Sequence, residues 1–221
     1  MIFDGHSDIF SDVRYKREAG ETQVLKNHHL DRLRKGGIGG ACFVIWADTY
    51  NGHAPKDEME AIVKGIKGEM AETKEFVLIH NVEELKAAEA AGKFAILLGI
   101  EGLAGIGEDL SKIDELYDLG ARHAMLTWNE ENALATGVKG DPNRGVTELG
   151  KQAIKKLQEK KMILDVSHIN EKSFWDVIDL AIGPILASHS NAKALASAAR
   201  NLTDDQLRAI RDTNGLVGLN A

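Results

Sequence analysis

Basic residues are in deficit: 27 Lys+Arg stand against 34 Asp+Glu, a net charge of −7 over 221 residues. A surface that tracks phosphates needs the opposite balance, so nucleic acid is excluded as an expected partner. Cysteine is nearly absent. Cys42 is the single thiol, which leaves no intramolecular disulfide and fits a reducing compartment. Long apolar runs are missing too. The longest, such as Phe94–Ile100, fall far short of the roughly 20 residues a spanning helix needs. The opening Met-Ile-Phe-Asp-Gly-His has neither the basic segment nor the apolar stretch of a signal peptide. A cytoplasmic protein with no membrane partner is expected. Hydrophobic residues make up 43% of the chain, too many for a disordered polypeptide, so a packed core is expected.

What the chain does have is alternation. Short apolar runs fall at Met1–Phe3, Ile38–Trp46, Phe94–Ile100, His123–Trp128, Met162–Val166, Ile185–Ala187 and Leu216–Leu219, with Phe76–Ile79 a weaker eighth. Runs of this length, apolar on both faces, read as strands of a parallel sheet covered on both sides. Amphipathic stretches lie between them at Asp57–Thr73, Val82–Ala91, Thr147–Lys160, Ser173–Ala181 and Asp204–Arg211. Repeated strand–helix units predict α/β architecture, a (β/α)₈ TIM-like barrel spanning residues 1–221 as a single domain. A doubly wound open sheet is the alternative, weakened because no GxGxxG follows the first strand. The last apolar run is followed only by Asn220-Ala221. The expected barrel is therefore incomplete at its C-terminal side, and its unfinished edge favours association, a homodimer being the simplest form.

Polar residues sit where the runs end. His6 and Asp8 follow the first, Glu101 the third, His168 the fifth and His189 the sixth. Strand positions i and i+2 share a face, so His6 and Asp8 can reach one ion. In a barrel these ends converge on the face where active sites are built. Three imidazoles and two carboxylates suit Zn²⁺, Mn²⁺ or Fe²⁺. Five ligands exceed one tetrahedral zinc, so the expected arrangement is two metal ions bridged by Glu101, with His6 and Asp8 on one and His168 and His189 on the other. His28, His29, His53, His80 and His123 have no partner in a comparable place and read as hydrogen-bonded surface residues.

At these residues the chain resembles the renal, or membrane, dipeptidase family of zinc metallopeptidases. The stretches are Asp4-Gly5-His6-Ser7-Asp8, Gly99-Ile100-Glu101-Gly102, Leu164-Asp165-Val166-Ser167-His168, Ala187-Ser188-His189-Ser190-Asn191-Ala192 and Arg200-Asn201-Leu202-Thr203-Asp204-Asp205. The resemblance implies a metallo-dependent hydrolase barrel and a binuclear zinc site. It also implies a small peptide substrate, a dipeptide with tolerance for a C-terminal D-residue. His6, Asp8, Glu101, His168 and His189 fall on the family's metal positions, and Arg200 on its carboxylate-binding arginine, a role a guanidinium fork suits. Two departures stand out. Trp128 occupies the place of a substrate-binding histidine; it cannot accept a proton, and is expected to shape the pocket wall. The family's final strand, which carries an aspartate proposed as the acid–base group, has no counterpart here, so no catalytic acid–base residue is assigned and a piece of a longer enzyme is expected. Two other readings are a non-catalytic metal- or peptide-binding module and an amidohydrolase acting on cyclic amides. The latter usually opens with His-x-His rather than His6-x-Asp8.

Overall fold

A computed structural model describes residues 1–47 and 52–220. The chain divides into two compact units, one formed by residues 1–100 and 119–122, the other by residues 101–118 and 123–221. All eight apolar runs are strands, and helices alternate with them as the α/β reading requires.

In the first unit the strands are β1 (Ile2–Ser7), β2 (Ile38–Trp46), β3 (Phe76–Leu78) and β4 (Phe94–Glu101), and the sheet order is β1-β2-β4-β3. The β1–β2 and β3–β4 pairings are parallel. Strictly sequential order would put β3 between β2 and β4. It lies instead on the far side of β4, paired with Phe94–Ile96. Further along that strand the Arg122 amide donates to the Leu98 carbonyl. Phe10, Phe43 and Phe94 form an aromatic spine with successive ring centroids 5.5 Å apart. The helices are α1 (Ile9–Glu18), α2 (Asp31–Lys35), α3 (Pro55–Glu72) and α4 (Val82–Ala90). Asn81 caps α4 by accepting from the Glu84 amide.

The second unit holds β5 (His123–Met125), β6 (Ile163–Asp165), β7 (Ile185–Ala187) and β8 (Leu216–Val217) in sequential order, all parallel. Its helices are α6 (Glu148–Glu159), α7 (Glu171–Leu180) and α8 (Asp204–Asp212), and α5 (Lys112–Leu119) runs up to its boundary. Thr147, Asn170 and Thr203 cap α6, α7 and α8, Thr203 in a capping box with Gln206. These caps satisfy amides that a helix start leaves orphaned. Helix α7 therefore starts two residues before the apolar pattern does. Helices α1 and α5 carried no expectation. Their buried stripes are short: Phe10 and Val13 with the half-polar Arg14 in one, Ile113 and Leu116 in the other.

Candidate metal centre

Three of the expected ligands meet in the second unit. Glu101 ends β4, His168 follows β6 by three residues, and His189 follows β7 by two. All three are buried, between 4% and 9% exposed. The His168 Nε2 lies 2.8 Å from Glu101 Oε1 and 2.8 Å from His189 Nε2, and His189 Nε2 lies 3.4 Å from the same carboxylate oxygen.

The local backbone is shaped for this. His168 has φ +71°, a left-handed conformation that costs a non-glycine residue about 1–3 kcal/mol and marks functional positions. Gly102 has φ +81°, and a Cβ there would stand 2.8 Å from the Trp128 amide nitrogen. Only glycine lets the chain turn away from Glu101 so close to that backbone.

The outer contacts orient the rings. Asn129 Oδ1 lies 2.9 Å from His168 Nδ1. That oxygen only accepts, so Nδ1 carries the hydrogen and the Nε2 lone pair faces Glu101 and His189. Ser188 Oγ stands 2.8 Å from His189 Nδ1 and can accept its hydrogen in the same way. With the His189 hydrogen likewise on Nδ1, two imidazole lone pairs and a carboxylate oxygen face one another, a donor set that a cation would join. Two ligands of a tetrahedral zinc at about 2.0–2.1 Å lie about 3.3–3.4 Å apart; the His189–Glu101 separation of 3.4 Å matches this, and the two separations of 2.8 Å are shorter. The donor set therefore fits a metal, with outer partners of the kind metal-bound histidines use.

Arg200 adjoins the cluster. Its Nη2 lies 3.1 Å from His168 Nε2 and donates to the His189 carbonyl at 2.8 Å. Burial lowers its pKa, opposed by the charges of Glu101 and Asp165. Its Nε–H is buried and has no hydrogen-bond partner among the described residues. Trp128 lines the same region, its ring centroid 6.1 Å from that of His168, with Lys139 Nζ 5.4 Å over its face.

In the first unit, His6 belongs to β1, whereas Asp8 lies beyond the strand as the residue preceding α1. The i, i+2 spacing still brings His6 Nε2 within 3.6 Å of Asp8 Oδ1.

Two of the histidines expected at the surface are buried. His29 is 7% exposed and stands 2.8 Å from Asp12. His123 is fully buried, 2.7 Å from the equally buried Asp165. An acid inside the apolar run Met162–Val166 was the available signal, because a buried charge demands a partner. Burial alone would raise the Asp165 carboxyl, but hydrogen bonds from His123, Ser188 and Ser167 bring its pKa down to about 2. A depressed carboxylate stabilises the fold above its unfolded pKa of 3.8 and loses that contribution as pH falls towards the folded value. We expect about 2 kcal/mol of stability to disappear between pH 4 and pH 2 on this account. Urea midpoints across that range should show a smaller drop in Asp165→Asn.

A sequence model described as "Membrane dipeptidase (Peptidase family M19)" matches residues 1–221. A protein of the PQQ-III 3′ region of Acinetobacter calcoaceticus is 31% identical over 250 residues, covering 99% of this chain and 79% of that one. A protein of the pqqA 5′ region of Klebsiella pneumoniae is 43% identical over 146 residues, covering 63% of this chain and 53% of that one. The crystal structure of a Rhodobacter sphaeroides metallo peptidase, liganded with a phosphinate mimic of the dipeptide L-Ala-D-Ala, superposes with TM-score 0.88 at 27% identity, over 99% of this chain and 73% of that one.

Proposed function

Because the chain belongs to the membrane dipeptidase family, peptidase family M19, and is thus a metal-dependent hydrolase of dipeptidase type, we propose that it cleaves dipeptides at a binuclear zinc site. The substrate range we propose includes those with a C-terminal D-residue. The observation that carries the reading is the convergence of Glu101, His168 and His189 at 2.8–3.4 Å with their rings oriented from outside. His168 and His189 would hold one ion, His6 and Asp8 the other, and Glu101 would bridge. When bound, such ions supply a water acidic enough to yield hydroxide near neutral pH and polarise the scissile carbonyl. Arg200 would take the substrate's terminal carboxylate on its Nε–H and a second N–H, which restricts the site to short peptides. Trp128 would form a wall of the pocket, in a single barrel domain. Cytoplasmic placement rests on the lone buried thiol, Cys42.

Elemental analysis of the zinc-loaded chain, paired with an L-Ala-D-Ala hydrolysis assay, tests the proposal. Two zincs with turnover are expected. Zinc without turnover favours a non-catalytic binder, and no bound metal counts against both. Arg200→Met should raise KM about 10–100-fold with a smaller change in kcat, the loss of a charged hydrogen bond in ground-state binding.

A further inference from the structure

Asp165 holds the two residues that immediately precede a pair of the expected metal ligands. Its Oδ1 accepts from the Ser167 amide at 2.7 Å, and its two oxygens share the Ser188 amide at 3.3 and 3.2 Å. His168 follows the first serine and His189 the second. The same carboxylate receives His123 Nε2 at 2.7 Å. One side chain thus joins the ends of β6 and β7 to the start of β5, and no solvent reaches it.

A purely structural role accounts poorly for this choice. An apolar residue of similar volume would fill the space without the several kcal/mol that burying a carboxylate costs. What only a carboxylate does is present two fixed acceptor oxygens to amides from different strands. Backbone amides held this way set where the next Cα stands. The left-handed φ of His168 begins one residue beyond the first of these hydrogen bonds.

We propose that Asp165 is a positioning residue for the metal centre: a buried staple, oriented by His123, that sets the separation of His168 and His189. This rests on the metal-site reading above, and the two fail differently. A wild-type chain that binds no Zn²⁺ defeats the metal site. A wild-type chain that binds Zn²⁺ no better than Asp165→Asn defeats the staple.

The test uses the full chain and the metal alone. Asparagine keeps the shape but offers one acceptor oxygen instead of two. Asp165→Asn should keep the native near-UV circular dichroism, weaken Zn²⁺ affinity about 10–100-fold in competition with a chromophoric chelator, and alter the visible spectrum of the Co²⁺-substituted protein. In the metal-free chain it should move the imidazole resonances of both His168 and His189. Unchanged affinity, Co²⁺ spectrum and resonances overturn the proposal, even if the variant is less stable. If Asp165→Asn does not fold, His123→Gln and His123→Leu decide. Glutamine can still donate to Asp165 and should bind Zn²⁺ more tightly than leucine; equal affinities overturn the proposal.

Discussion

Glu101→Gln is expected to reduce dipeptide turnover by more than about 100-fold, beyond the 10–100-fold typical of outer-shell partners. The substitution conserves volume and leaves β4 undisturbed. It removes the negative charge and replaces one acceptor oxygen by a donor, which then faces imidazole nitrogens at 2.8 and 3.4 Å. A group proposed to bridge two cations needs both oxygens, so bound zinc should fall from about two ions to about one. The decisive measurements are kcat/KM and metal content of the same sample, with excess Zn²⁺ present. Turnover near the wild-type value would remove the two-metal reading while leaving the family assignment in place.

Glu69→Ala should be the most destabilising of the substitutions considered, and for reasons unrelated to chemistry at the metal centre. Glu69 on α3 is fully buried. Its Oε1 accepts from the Leu25 amide and the Thr73 hydroxyl, both at 2.8 Å; its Oε2 accepts from the Val24 amide and Arg17 Nη1, both at 3.1 Å. Those two amides open the π-helical turn Leu25–Leu30 and would otherwise be orphaned. Removing one partner of a buried ion pair costs about 3–5 kcal/mol. Arg17 keeps Glu72, which it grips with two hydrogen bonds of 2.8 and 2.9 Å, so the lower end is expected. At about 2–4 °C per kcal/mol for a chain of this size, Tm should drop about 10 °C. Thermal denaturation followed by circular dichroism checks this; a drop within 2 °C would show that solvent or a rearranged loop replaces the carboxylate easily.

The strands were legible in the sequence because each begins from an apolar run; β2 and β4 are largely buried on both faces, whereas Ile2 and Phe3 of β1 and Leu216 of β8 are exposed. Even the weak Phe76–Ile79 run is a strand, though its position beyond β4 carries no local signature: order in a sheet depends on which edges meet. Helices α3, α4, α6, α7 and α8 were legible from their periodicity. Helix α1 was not, because a three-residue stripe containing an arginine gives little periodic signal.

Chain order and residue type sufficed to expect that Glu101, His168 and His189 meet, since side chains at strand ends follow a positional rule that needs no coordinates. The position of Arg200 beside them was expected from its motif. Tertiary structure alone decided the rest. Asn129 and His168 are 39 residues apart, and Asp165 and His123 are 42; no spacing rule links such partners. Which ring nitrogen carries the hydrogen, and how far apart two histidines stand, are set by contacts that exist only once β5, β6 and β7 lie side by side. The sequence by itself determined which side chains of ligand type stand at the strand ends; the fold decided how they are aimed, because hydrogen bonds act over about 3 Å in space and take no account of distance along the chain.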